Sequence, residues 1–159
     1  MEAVLEIVRY TSNDRHLFEN YQLKTGQEDL TAMPLDAIEQ CRRDHNRYPF
    51  IILAEMQPAG FFVLQKGNGV LEYHKNSKAI LLRAYSIAAS FQGRGVAGKM
   101  LEQLPLVVKG NFPFSDEIIL AVNKENVAAQ HVYKKAGFID KGLRAVGKIG
   151  EQLILHKMI

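Results

Sequence analysis

The chain has 159 residues, 47% of them hydrophobic, and 20 basic against 17 acidic side chains give it a net charge of +3. That apolar content excludes disorder, and a chain of this length is read as a single domain over 1–159 with a core that needs no disulfide or metal. The small, scattered charge excess excludes a nucleic-acid footprint, and no apolar run approaches the roughly 20 residues of a bilayer span. Met1-Glu2-Ala3-Val4-Leu5-Glu6 lacks the basic start and apolar core of a signal peptide. Cys41 is the only cysteine, which excludes an internal disulfide and a cysteine-built zinc site and predicts a cytoplasmic protein.

Val4 to Tyr10 alternates as a first strand, and Thr11-Ser12-Asn13-Asp14 then supplies helix-cap chemistry. Leu17, Phe18 and Tyr21 recur at helical spacing, which predicts a helix ended by Thr25-Gly26. A second short helix is predicted from Pro34, with Leu35, Ile38 and Cys41 along one face and Cys41 a small core residue. Pro49–Met56 and Gly60–Gln65 read as a hairpin turned by Gln57-Pro58-Ala59, followed by a polar loop to Lys78. Ile80 to Ala88 is an apolar run with the character of a buried central strand.

After that strand comes Gln92-Gly93-Arg94-Gly95-Val96-Ala97-Gly98-Lys99 and then a segment of helical spacing. The glycines leave backbone N–H groups unshielded where a helix begins, and the first N–H groups of a helix have no internal partner. With the positive end of the helix dipole they form a site for a phosphate or diphosphate. Three patterns fit the letters. G-x-x-x-x-G-K is one residue short of a P-loop, because Met100 stands where Ser or Thr would ligate magnesium. G-x-G-x-x-G is the dinucleotide fingerprint, which calls for an acidic residue closing the next strand, whereas Asp116 and Glu117 open it and Asn123 closes it. The third is Gln/Arg-x-x-Gly-x-Gly/Ala.

The remaining elements follow in order. Val96, Met100, Leu101 and Leu104 point one helix face inward, and Pro105 predicts a break or kink near Leu104. Ile118 to Val122 is a short strand, and Val127 to Ala136 a helix capped by Asn126 or a neighbour, with Ala129, Val132, Tyr133 and Ala136 on one face. Gly137 suits the left-handed position after the helix with Phe138 packing back. Two last strands, Phe138–Ala145 and Glu151–Lys157, are joined through Gly147 and Gly150.

The third glycine pattern resembles the coenzyme A signature of the GNAT N-acetyltransferases. A second block strengthens the likeness: Asn126, Ala129, Tyr133, Gly137 and Phe138 match the family's N-x-x-A-x-x-x-Y-x-x-x-G-F ending. The element order resembles the GNAT fold over nearly the whole chain. The resemblance implies an α/β (α+β) mixed sheet of six to seven strands with about four helices, splayed between strands 4 and 5. It also implies acetyl-CoA as cofactor: Ser86, Ile87 and Ala88 would pair with the pantetheine arm through the main chain. Gln92, Gly93, Arg94, Gly95, Val96 and Ala97, with Gly98 and Lys99, would hold the diphosphate, and Asn126, Ala129 and Tyr133 would complete the cofactor site. Alongside stand two other classes, a non-catalytic acyl-CoA sensor and a dinucleotide-binding enzyme.

An amine near pKa 10.4 must lose a proton before it attacks a thioester, and a phenol near 10 can hydrogen-bond to a departing thiolate near 8.5, help protonate it and then regain its own proton readily. On the resemblance, Tyr133 is that general acid. Arg83, Ala84, Tyr85 and Ser86 include no carboxylate where many relatives carry a glutamate base, so Glu55, Glu72, His74, Glu28, Asp29 and a water relay stay open for that role. The acceptor is read as a small primary amine, with a faint likeness to bacterial spermine/spermidine acetyltransferases around Gln27–Ala32 and Gly150–Ile154. The pair Glu28 and Asp29 would draw a polycation, with Glu55 a further acceptor-site candidate. A protein N-terminus or lysine is the alternative acceptor. A monomer or homodimer, with no nucleic acid or membrane partner and no metal, completes the reading.

Overall fold

A computed structural model describes residues 4–159; Met1, Glu2 and Ala3, part of the stretch read for a signal peptide, lie outside the described residues. The strands are β1 (Leu5–Arg9), β2 (Arg47–Ala54), β3 (Gln57–Gln65), β4 (Ala79–Ile87), β5 (Glu117–Asn123), β6 (Ile139–Gly147) and β7 (Gly150–Met158). They hydrogen-bond as one mixed sheet in the order β1-β2-β3-β4-β5-β7-β6. Four α-helices are α1 (Pro34–Arg43), the single turn α2 (Asn68–Leu71), α3 (Val96–Asn111) and α4 (Val127–Lys135). A seven-stranded mixed sheet with four α-helices is the architecture that the resemblance implies. Among the described residues no helix is long and apolar enough to cross a membrane.

The β4–β5 pair is parallel and runs from Ala79↔Glu117 to Leu82↔Leu120. The ladder ends there, although β4 itself continues to Ile87. Just past its last rung Ala84 adopts φ 50°, a left-handed conformation that costs a residue with a Cβ roughly 1–2 kcal/mol.

Contacts group the chain into two compact units. The first runs to Leu64 and resumes over Arg83–Met100; the second comprises Gln65–Leu82 and Leu101–Ile159. In the first, Phe18 packs edge-on against Tyr21 and Phe61, both with centroids 5.4 Å away, and Phe50 stacks on Phe62 at 5.1 Å. Gly60 is needed here because a Cβ on it would stand 2.7 Å from the Ser86 carbonyl oxygen. In the second unit Val70, Ala79, Leu81, Ile119 and Ile154 form a buried cluster.

Four local expectations are corrected. The segment read as a helix through Tyr21 is a 3-10 helix over Ser12–Phe18, opened by Asp14, whose carboxylate accepts from the Thr11 N–H at 2.8 Å and hydroxyl at 3.0 Å. The β2–β3 hairpin turns at Glu55 and Met56, at φ 53° and 64°, rather than at Gln57-Pro58-Ala59. Two successive left-handed residues match the right-handed strand twist, and Pro58 is tolerated near the strand's start. Helix α3 continues through Pro105 to Asn111 without the predicted break; Leu104 and Val108, both fully buried, hold the turns on either side. Val132 is exposed, leaving Ala129, Tyr133 and Ala136 as the half-buried face of α4.

Candidate active site

The glycine loop is built from its ends inward. A 3-10 turn, Ala89–Phe91, follows β4, and Phe91 is buried beneath the loop. Gly93 and Gly95 then take φ 76° and 79°, which glycine adopts without steric cost, and α3 begins at Val96. Gly93, Arg94, Gly95 and Gly98 are exposed, and a Cβ added at any of these glycines would meet nothing within 4 Å. The first bond of α3 reaches back from the Lys99 N–H to the Gly95 carbonyl at 3.2 Å. The N–H groups before it are the unshared donors of a helix start, aimed where an anion is favoured.

Arg94 lies within this loop, its guanidinium 4.8 Å from the centre of the Phe91 ring and 3.5 Å from the Glu55 carboxylate. The hairpin tip therefore places Glu55 against a residue of the loop. Gln92 is turned the other way. Its amide nitrogen donates to the Ile87 carbonyl at 2.9 Å and to the Gln27 side-chain oxygen at 2.7 Å. Gln27 donates in return to Gln92 at 3.2 Å. Both side-chain N–H groups of Gln92 are thus spent inside the protein.

Two of the main-chain groups predicted to pair with an acyl arm, the Ala88 N–H and the Ile87 carbonyl, already bond within the protein. The Ala88 N–H donates to the Ala59 carbonyl at 2.8 Å, so that donor is engaged by β3. Ser86 is buried, its hydroxyl 2.9 Å from that of Tyr21, and burial pushes the Tyr21 phenol above its ordinary range. Ile87 closes β4, and its carbonyl accepts from the Gln92 side chain. Glu28 and Asp29 are exposed on the 3-10 turn Gln27–Asp29, and Glu28 accepts from the Gly26 N–H at 3.3 Å.

Asn126, Ala129 and Tyr133 lie in the second unit, together on α4. Asn126 caps the helix, its side-chain oxygen accepting from the Ala129 N–H at 3.2 Å. The far end closes as a Schellman motif: the Phe138 N–H reaches the Tyr133 carbonyl at 3.1 Å and the Gly137 N–H reaches that of Lys134 at 3.0 Å. Gly137 takes φ 97°, and Lys157 adds a bond to the Ala136 carbonyl at 2.7 Å. These caps fix the turn that carries Tyr133. Its half-buried ring stands 6.0 Å from Phe138, and burial raises its phenol well above the ordinary 10, so the hydroxyl keeps its proton throughout the neutral range.

A cluster that sequence reasoning did not assemble joins three elements of the second unit. Glu117, 2% exposed, accepts from His74 at 2.7 Å, from Asn76 at 3.0 Å and from His156 at 3.1 Å. The Lys141 ammonium is 3.7 Å away. Burial works against the ionised Glu117, but the Asn76 and His74 hydrogen bonds outweigh it and hold the carboxyl below its usual range. Burial likewise depresses the His156 imidazole, with Glu117 opposing. His74, a candidate base from the sequence, is committed to this cluster, in which Glu117 pairs across the ladder with Ala79, the residue that opens β4. No local signal announces it, because its members lie on a loop, β5 and β7. Cys41 is half-buried on α1, and burial raises its thiol to about 11, which leaves it un-ionised at neutral pH.

The acetyltransferase (GNAT) family model matches residues 14–138, and the chain belongs to that family. It is 42% identical over 142 residues to the uncharacterized N-acetyltransferase YbbJ of Bacillus subtilis (strain 168), covering 89% of each chain. Its fold matches an aminoglycoside acetyltransferase AAC(6')-Ib solved with coenzyme A and kanamycin (TM-score 0.78, 19% identity, 98% and 95% of the two chains). It also matches a spermidine N-acetyltransferase from Vibrio cholerae solved with coenzyme A and spermine (TM-score 0.63, 18% identity, 97% and 95%).

Proposed function

We propose that this member of the acetyltransferase (GNAT) family moves the acetyl group of acetyl-CoA to a primary amine of a small polycationic molecule, a polyamine in the first instance, by direct attack within a ternary complex. The observation that carries the reading is the exposed loop at the start of α3, where two left-handed glycines lead into the unshared N–H groups of a helix start. Acetyl-CoA, when bound, supplies the acyl group already activated as a thioester. The amides from Gly93 to Gly98 hold the diphosphate, and Arg94 adds a guanidinium to it. Ser86, Ile87 and Ala88, at the end of β4, line the arm.

Tyr133 acts as general acid. Its proton stays on Oη at neutral pH, the state required to hydrogen-bond to a thiolate leaving group and donate to it. Asn126 and Ala129 set the start of the same helix. The carboxylates of Glu28 and Asp29, both exposed, attract the cationic acceptor. The kinship in fold with enzymes solved with kanamycin and with spermine supports an acceptor of this chemistry. We read the chain as one N-acetyltransferase domain over 1–159, cytoplasmic in keeping with its single cysteine, and working as a monomer or homodimer.

The test is a panel of polyamines, aminoglycosides, amino acids and peptides, following release of free CoA, with thermal shift against acetyl-CoA and NAD alongside. Turnover with a polyamine and a shift with acetyl-CoA alone are expected. Binding of acetyl-CoA without acetylation of any amine overturns the enzyme reading in favour of a sensor; a shift with NAD alone overturns the cofactor.

A further inference from the structure

The chain from Tyr21 to Gln27 is laced to the chain from Ser86 to Gln92. Tyr21 and Ser86 hydroxyls meet at 2.9 Å, the Ala89 N–H donates to the Gln22 carbonyl at 2.8 Å, and Gln27 and Gln92 exchange hydrogen bonds at 2.7 and 3.2 Å. All of these residues belong to the first unit. The lacing ends on two chemically distinct features. On one side Gln92 passes directly into Gly93 and the exposed glycine loop. On the other, Gln27 opens the 3-10 turn that exposes Glu28 and Asp29, after Gly26 at φ 91°.

We propose that Gln27 is a positioning residue for the cofactor loop, acting through Gln92, and that this reciprocal amide clasp couples occupancy of the loop to ordering of the Glu28–Asp29 turn. The proposal rests on the reading of the glycine loop as the coenzyme A site. The Gln92 side chain has no N–H left for a phosphate, so its contribution is to hold the loop's first residue against the Ile87 carbonyl and Gln27. A glycine-rich loop has much backbone freedom to lose on binding an anion. Fixing its first residue beforehand reduces that loss, and an anion that orders the loop stabilises the clasp in turn. Coupling between two sites is reciprocal, so whatever a bound cofactor adds to the order of the turn, a ligand on the turn returns as cofactor affinity.

Gln27→Met keeps the side chain's bulk and removes both hydrogen bonds, whereas Gln27→Glu keeps the acceptor of the 2.7 Å bond and loses the donor of the 3.2 Å one. The measurements are backbone hydrogen exchange of the whole protein with and without coenzyme A, and steady-state kinetics. In the ligand-free protein, Gln27→Met is expected to speed exchange over residues 89–95, with Gln27→Glu between it and wild type. In wild type, coenzyme A slows exchange over residues 26–30; in Gln27→Met that slowing is lost. The KM for acetyl-CoA rises roughly 3- to 10-fold in Gln27→Met, the worth of one ordinary hydrogen bond, while kcat holds. Gln92→Met serves as the second variant, and the double substitution adds little to either single one.

Unchanged exchange over 89–95 in ligand-free Gln27→Met and Gln92→Met overturns the clasp whatever the loop binds. Slowing of 26–30 that persists in Gln27→Met overturns the coupling. If wild-type protein gives no response to coenzyme A at all, the cofactor reading fails and the coupling falls with it, while the ligand-free arm still decides the clasp.

Discussion

The Glu55 carboxylate stands 3.5 Å from the Arg94 guanidinium, joining the hairpin tip to the glycine loop. Both groups are about half exposed, at 59% and 47%, so the pair adds little to stability, and on the proposed cofactor site it would compete with a phosphate for the arginine. Glu55→Ala is expected to leave the melting temperature unchanged and lower the KM for acetyl-CoA. Arg94→Ala should raise that KM roughly 10-fold and flatten its dependence on salt, since a charge-assisted bond to phosphate is lost. Kinetics at two ionic strengths check both.

Tyr133→Phe removes the phenolic proton and keeps the ring beside Phe138. The expected result is a fall in kcat of about 100-fold with acetyl-CoA binding preserved, the range for a lost general acid. A kcat equal to wild type would reassign this tyrosine to the core.

Gly137→Ala places a Cβ at φ 97° in the Schellman turn that ends α4. Space is available, with Lys157 Cε and Nζ at 3.5 Å, so the cost is the backbone conformation, about 1 kcal/mol. Denaturant unfolding measures it. Because the same turn holds the Tyr133 carbonyl, kcat should fall further than stability alone explains.

Acid sensitivity should come in two steps. The folded His156 imidazole titrates below the ordinary 6.5, so as pH drops through 6.5 the unfolded chain binds a proton that the folded one refuses, and stability declines. Glu117 titrates below the ordinary 4.5, so the stability that its ionised form supplies above that value is lost as pH falls through its lower folded value. Melting temperatures from pH 8 to about pH 3 are expected to fall from about pH 6.5 downward, with the second step below about 4.5. His156→Gln should flatten the upper part of that slope, and Glu117→Gln the lower.

Much of the scaffold was legible locally. The apolar run of β4 and the glycines after it gave the loop, and Gly137-Phe138 gave the helix stop, because each is a backbone preference carried by adjacent residues. The β2–β3 turn was misplaced because Gln57-Pro58-Ala59 carries turn chemistry, whereas Glu55 and Met56 are held left-handed by strand pairing on both sides. Pro105 was read as a helix breaker, yet buried neighbours keep α3 continuous. Ala84 gave no warning at all: its φ of 50° follows the end of the β4–β5 ladder, which no residue type near it encodes.

The order of elements, the glycine loop and the two family blocks belong to the sequence alone, since glycine conformation, helix ends and apolar periodicity are properties of neighbours along the chain. Only the tertiary structure decided that Gln92 meets Gln27, that Ser86 meets Tyr21, and that Glu117 gathers His74, His156 and Lys141. A side-chain amide, hydroxyl or carboxylate has no preferred partner in its own segment. Sheet order and register choose that partner, and they are set by burial of the strands as a whole.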